Sequence, residues 1–270
     1  MTPKELITAG RLEEARSVLV DTLKKQPADP SARSLLFQLL LFFGEWDKAR
    51  RHLEISASQG HSTPPEVDVY TNLIQAEKSR LAVAGLTQRP TFFPEVPAHA
   101  DAYIDVLELI AAEKSEAARA ALEKVYAGLT HLRGMRNGEP FSGFVDTDTT
   151  LALFIEAIEY ERYLWVPVHS IRELVVSPPK TLIDLIWTKA RITTWEGLTM
   201  GCFLPVLYPR SFESTDNRIR MGRMTDWVDL GNGLARGVGQ HVYQVGNSDK
   251  TILELGEVIF HLDGSQAKGK

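Results

Sequence analysis

The sequence predicts an α+β fold in two parts: an N-terminal α-α helical solenoid over residues 1–130, then a β-rich, barrel- or sandwich-like domain over residues 141–262. Composition divides the chain there. Residues 1–130 hold nineteen of its alanines and five of its nineteen glycines, while residues 131–270 hold five alanines, fourteen glycines and four of the five tryptophans. Alanine favours helices, whereas glycine weakens them and marks turns. A repeat supplies the second observation. Gly10-Arg-Leu-Glu-Glu-Ala15-Arg16 returns as Gly44-Glu-Trp-Asp-Lys-Ala49-Arg50 after 34 residues, the tetratricopeptide period. A degenerate third copy, Glu113-Lys-Ser-Glu-Ala-Ala118-Arg119, lies 69 residues beyond the second.

The repeat spacing has a physical cause. Glycine suits the tight turn between antiparallel helices, and alanine five residues later lets the helices approach closely. Pro27 and Pro30 punctuate the repeat, and Pro30 can open a helix because the first turn needs no donor there. Helices are therefore expected over 30–43 and 45–58, the first apolar nearly all round and so covered on more than one side. Pro65–Leu86 reads as one long helix with Val69, Leu73, Ile74, Ala76 and Leu81 on a stripe. Prolines 90, 94 and 97 exclude a helix, and periodicity resumes over Asp101–Ile110. Residues 131–140, rich in turn formers, read as a hinge.

Beyond the hinge the pattern is short strands. Leu151–Ile158 and Tyr163–Val168 flank a polar cluster as a hairpin, and Ile171–Val176 ends at Pro178-Pro179. Arg191–Trp195 with Met200–Leu204, and Val242–Val245 with Thr251–Leu255, form two more hairpins around Glu196-Gly197 and Gly246-Asn247. Residues 263–270 read as a disordered tail.

Composition also restricts function. A net charge of −5 argues against a dedicated nucleic-acid or polybasic membrane binder. A single cysteine, Cys202, excludes a disulfide framework and a cysteine-based zinc finger. The most apolar run, Leu35–Phe43, is far shorter than a membrane span, and the N-terminus lacks a signal-peptide pattern, so a cytoplasmic location is expected.

Each chemical motif has an ordinary counterpart. Asp146-Thr-Asp148-Thr-Thr150 resembles the D-x-D-x-T signature of haloacid-dehalogenase-type phosphatases, in which the first aspartate attacks phosphorus and the second moves the proton, with Mg²⁺. That chemistry needs a buried parallel strand, and Phe141–Val145 is a poor one, which favours an acidic cap or turn. Gly264–Lys270 matches most of a phosphate loop but ends without its Ser/Thr or helix. Gly231–Gly239 has the wrong spacing for dinucleotide binding and reads as a loop whose amides could hold an anion beside Arg236. The seven histidines show no metal spacing. Cys202 could pair with His169 or His241, but its apolar strand favours an inert thiol. Trp165, Trp187, Trp195 and Trp227 read as core or half-buried side chains. With no catalytic signal left, the repeats carry the functional reading, because helical solenoids offer grooves to other chains.

The ordered set Trp165-Val-Pro167, Ile171-Arg172, Pro178-Pro179-Lys180, Asp184-Leu185-Ile186-Trp187, Ala190-Arg191, Phe203-Leu-Pro-Val-Leu-Tyr-Pro209 and Gly237-Val-Gly239-Gln240 resembles the ImpE/SciE family, also called TagJ. The resemblance runs from about residue 5 to about residue 260. It implies a cytoplasmic, non-enzymatic accessory protein of type VI secretion, without cofactor or metal. Its implied partner is a helix near the N-terminus of the sheath small subunit, and through the sheath the disassembling ATPase ClpV. No nucleic acid, membrane or small-molecule substrate is implied. A helix laid in an apolar groove fits the solenoid reading. The expected groove surrounds Phe42, Arg50 and Tyr70, with a second surface around Trp165 and Arg191. The alternatives are the Asp146/Asp148 phosphatase and a generic solenoid scaffold for another complex.

Overall fold

A computed structural model describes residues 1–261. The predicted tail, residues 263–270, lies outside the described residues, as does the phosphate-loop-like Gly264–Lys270. The helical part comprises α1 (Pro3–Thr8), α2 (Leu12–Lys25), α3 (Pro30–Phe42), α4 (Trp46–Ser58) and α5 (Pro64–Ala84), a short strand β1 (Thr91–Phe92), then α6 (Ala100–Ala111) and α7 (Ser115–Ala127). Helix starts follow local rules. Thr2 and Glu5 form a capping box on α1, and the Asp29 carboxylate accepts the Ala32 N–H ahead of Pro30 on α3.

The three repeat turns share one backbone shape. Gly10, Gly44 and Glu113 have φ of +74°, +65° and +56°, and Ala15, Ala49 and Ala118 are fully buried where the helices touch. Gly44 has a second reason to be glycine: a Cβ there would lie 2.4 Å from the Phe212 ring.

The β-rich part comprises β2 (Arg133–Arg136), β3 (Glu139–Ser142), β4 (Phe144–Asp146), β5 (Phe154–Glu159), β6 (Arg162–Pro167), β7 (Ile171–Val176), β8 (Trp187–Thr194) and β9 (Thr199–Pro205). A one-turn helix α8 (Asn217–Arg220) follows, then β10 (Thr225–Gly231), β11 (Leu234–Gly239), β12 (Val242–Val245), β13 (Ser248–Thr251) and β14 (Glu257–His261). Nine strands form one sheet in the order β1-β6-β5-β9-β8-β7-β14-β2-β3, three form a second (β13-β12-β4), and β10-β11 is a separate ribbon. The sheets stack as a sandwich and do not close into a barrel.

The expected hinge is structured. Residues 133–142 form the β2-β3 hairpin, with Asn137-Gly138 in the left-handed turn, and β2 pairs with β14. The glycine-dense 231–239 segment is likewise a ribbon rather than a loop. Strand β1, from the helical part, pairs in parallel with β6.

Both faces of the large sheet are covered over β5 and β6. Leu164 and Val166 point into the sandwich core with Ile155 and Ala157, while Tyr163, Trp165, Phe154 and Ile158 point to the helices. One apolar cluster therefore runs from the repeats into the sheet. Trp46 packs on Trp187 at 6.1 Å and edge-on to Phe212 at 5.9 Å; Tyr103 packs on Phe154 at 5.2 Å. Segment 210–223 clamps the first repeat, with Arg220 bridging to Glu13 at 2.7 Å and Arg223 donating to the Thr8 carbonyl at 2.8 Å. Among the described residues no helix is long and apolar enough to cross a membrane.

Candidate functional site

The most elaborate polar cluster lies where helices meet sheet. Helix α5 places Glu77 and Arg80 one turn apart, on the stripe that also buries Leu73, Ala76 and Val83. Strand β5 turns Glu156 toward them, on the same face as Phe154 and Ile158. Arg80 grips Glu156 with two hydrogen bonds, Nε to Oε1 at 2.8 Å and Nη2 to Oε2 at 2.7 Å, and also donates to the Leu207 carbonyl at 2.6 Å. Trp187 Nε1 donates to Glu77 at 2.8 Å, and Tyr163 hydroxyl donates to Glu156 while accepting from Trp165 Nε1 at 2.6 Å.

His241 continues the chain of contacts. Its Nδ1 meets Asp146 Oδ2 at 2.8 Å, and its Nε2 lies 3.0 Å from Glu156 Oε2 as an ion-pair contact not aligned for a hydrogen bond. Tyr208 hydroxyl donates to Asp146 Oδ1 at 2.6 Å. Every ionisable group here is buried.

The charges set one another. Burial disfavours the Arg80 cation, but Glu156 and Glu77 outweigh it and hold the guanidinium above its ordinary value. Burial likewise opposes ionised Glu156, yet Arg80 and His241 bring its carboxyl below the usual range. His241, disfavoured by burial and favoured by Asp146 and Glu156, is pushed up to about 9. It is thus an imidazolium at neutral pH, not a base. Asp148, which burial and then Asp146 penalise, is pushed up to about 7.

This geometry overturns the phosphatase reading. Asp146 ends a three-residue strand that pairs antiparallel to β12, and its carboxylate is held by His241, Tyr208 and the Asp148 N–H. Asp148 accepts from Thr150 N–H at 2.7 Å, from Thr150 hydroxyl at 2.6 Å and from Gly237 N–H at 2.9 Å. The glycine-dense segment therefore holds the chain's own Asp148, through the Gly237 N–H. Gly237 is needed for that approach, since a Cβ would lie 2.2 Å from the Tyr208 ring. Among the described residues no group of three or more His, Cys, Asp or Glu is placed to hold a metal. Cys202 is buried in β9, where burial pushes its thiol up to about 12. No thiol dyad is needed to explain it.

The expected docking residues separate. Phe42 (1% exposed) is a core side chain and cannot touch a partner in this conformation, while Trp165 (2%) is buried and shows only at the wall of a small cavity. Trp46, on the helix after Phe42, packs against the chain's own Trp187 and Phe212, in one apolar cluster that also holds Phe42 and Ile183. Arg50 is exposed on α4, 3.7 Å from Glu54. Tyr70 is half-buried against Phe37 and lines an open trough of about 510 Å³ between α5 and the sheet, with Val69, Pro178, Lys180, Lys189 and Phe203. Arg191 stands two residues beyond Lys189 on the same exposed side of β8, paired with Glu173 at 2.7 Å. The structure thus brings Tyr70 beside Lys189, while Arg191 does not line the trough. Trp165, Trp187 and Trp195 are buried or half-buried as expected; Trp227 is 42% exposed.

The sequence reading missed the buried network. A signal existed: Glu77 and Arg80 interrupt the apolar stripe of α5, and Glu156 sits inside the apolar run Leu151–Ile158. Charges at core positions of both elements imply a pair between them.

Fold and junction together define a tetratricopeptide-like helical scaffold fused to a β-sandwich, a repeat protein whose repeats lean on a second module. Comparisons with known proteins place it further. Residues 6–68 match the tetratricopeptide repeat family, and residues 138–259 match the ImpE protein family. The type VI secretion system accessory component TagJ of Pseudomonas aeruginosa is 31% identical over 260 residues, spanning 96% of this chain and 91% of that protein. The crystal structure of protein VPA1032 from Vibrio parahaemolyticus superposes with a TM-score of 0.85 at 20% identity, over 97% of this chain and 98% of that one. The chain belongs to the ImpE/TagJ family.

Proposed function

We propose that this protein is a non-enzymatic, cytoplasmic accessory component of a type VI secretion system, and that it binds a helix near the N-terminus of the sheath small subunit. Through that contact it ties the sheath to its disassembly by ClpV. Family membership supports the accessory role. The trough beside α5 carries the docking reading: Val69, half-buried Tyr70 and Phe203 offer an apolar strip, and Lys180 and Lys189 lie along it without ion pairs among the described residues. An amphipathic helix would lay its apolar face on the strip and set its register by acidic residues against the lysines. The aspartates support a structural role for themselves, because each carboxylate is held by the protein's own donors.

A pull-down tests this with the sheath small subunit, intact and lacking its N-terminal helix. Recovery of the intact form alone is expected, and Tyr70→Ala with Lys189→Glu should weaken it about tenfold or more. Equal recovery of both forms refutes the docking.

A further inference from the structure

The far end of α5 holds a second concavity, separate from the trough and backed by Tyr163, Trp165 and Asp148 of the buried network. A cavity of about 130 Å³ opens between Val83 of α5, Leu107 and Ile110 of α6, Trp165 of β6 and Leu230 of β10. An apolar cavity of about 150 Å³ admits benzene, and this one, slightly smaller but open at its mouth, can take the tip of a single bulky side chain. Its polar floor is already occupied. Asp148 accepts from Thr150 and Gly237, and Tyr163 hydroxyl is engaged by Glu156 and Trp165.

The rim is different. Leu86 lines the mouth at 37% exposed, and Val228, at 41%, stands across the ribbon from Arg236. Apolar surface therefore continues outward, farther than one ring can cover. Arg210 and Arg236 both line the mouth. Arg210 is paired with Glu213 at 2.9 Å, whereas Arg236 makes no hydrogen bond or ion pair among the described residues. A pocket for one side chain, an apolar shoulder and a cation at its edge without an ion pair among the described residues suit a bulky apolar residue followed closely by a carboxylate.

We propose that this cavity is a second docking site, which takes an apolar anchor residue of an acidic partner polypeptide, the neighbouring carboxylate pairing with Arg236. Tyr70 and Val83 lie on the same 21-residue helix, roughly 20 Å apart at 1.5 Å per residue, so both sites can be filled at once. The two sites share no residue, and this one stands whether or not the trough binds the sheath subunit.

Calorimetric titration of the full chain tests the proposal with a short synthetic peptide, one phenylalanine flanked by aspartates. Binding is expected that disappears when the phenylalanine becomes alanine or the aspartates become lysines. Arg236→Glu and Ala84→Trp alter exposed positions, so thermal unfolding should be unchanged while affinity falls about tenfold or more. Tyr70→Ala should leave this titration unaltered, which separates it from the trough. Absence of binding at millimolar peptide, equal binding by both variants, or equal binding of the lysine peptide would overturn it. So would 3-phenylpropionate binding as tightly as the peptide, which would make the site one for a small acid.

Discussion

The concave face of the repeats and the flank of α5 are built from similar residues but have opposite fates. On the concave side Trp46 and Phe37 meet Trp187, Phe212 and Ile183 from the sandwich, and Arg80 reaches through to Glu156. On the flank, Tyr70 is left half-buried beside two lysines without ion pairs among the described residues. A tetratricopeptide array ordinarily presents its inner groove to another chain. Here the helices are covered by the chain's own second half, which leaves surfaces at the margins open. Closure by the chain's own second half removes the groove that the repeats predict around Phe42.

The strongest way to break that contrast is to cut the closed side. Arg80→Ala leaves Glu77 buried without a cation and Glu156 with only His241, and should cost about 3–5 kcal/mol in urea unfolding. Tyr70→Ala on the open side should cost much less than a core truncation. Equal losses would show that the two faces are not distinct in energy.

Acidity sharpens the same contrast. His241 rises from 6.5 to about 9 on folding, so its stabilisation is fully present below pH 6.5 and is lost as pH climbs through 9. The loss should be roughly 3 kcal/mol, and His241→Gln should flatten that window in urea midpoints. Asp148, raised from 3.8 to about 7, acts in the window below. Its ionisation opposes folding as pH rises toward 7, and Asp148→Asn should remove that slope. A midpoint independent of pH between 6.5 and 9 would contradict the charged histidine.

The repeat turns give the smallest effects. Gly44→Ala meets both a positive φ and the Phe212 ring and should cost about 2 kcal/mol. Gly10→Ala meets the φ alone, its Cβ standing 3.8 Å from Arg223, and should cost about 1 kcal/mol. Identical melting shifts would mean that Phe212 does not close over the second turn.

Much of the fold was legible because its causes are local. Gly10, Gly44, Ala15 and Ala49 encode turns and close helix contacts within one repeat, and the hairpins β5-β6 and β8-β9 follow turn residues between apolar runs. At Gly246-Asn247 the turn is as expected but the return strand is the polar Ser248–Thr251, and the expected strand Thr251–Leu255 is mostly a single helical turn at Ile252–Glu254. The hinge reading failed at residues 133–140 because Asn137-Gly138 is as much a hairpin turn as a linker, and only pairing with β14 decides between them. The candidate site was less legible. Arg80 and Glu156 are 76 residues apart, and Asp146 and His241 are 95 apart. Nothing in spacing joins such positions; the surviving trace is charge on otherwise apolar faces. Trp165 and Phe42 carried the right chemistry for an anchor, but burial is a property of the packed chain and removed both from the surface.

By itself, then, the sequence determined the helical repeats, the β-rich second half and the family, since propensity, turn chemistry and ordered motifs act over short stretches. Tertiary structure alone decided that the repeats close on the sandwich, that two aspartates serve as buried acceptors rather than nucleophiles, and which margins stay open. Those outcomes depend on which distant side chains meet out of water, where a charge must find a partner and an apolar face must find a cover.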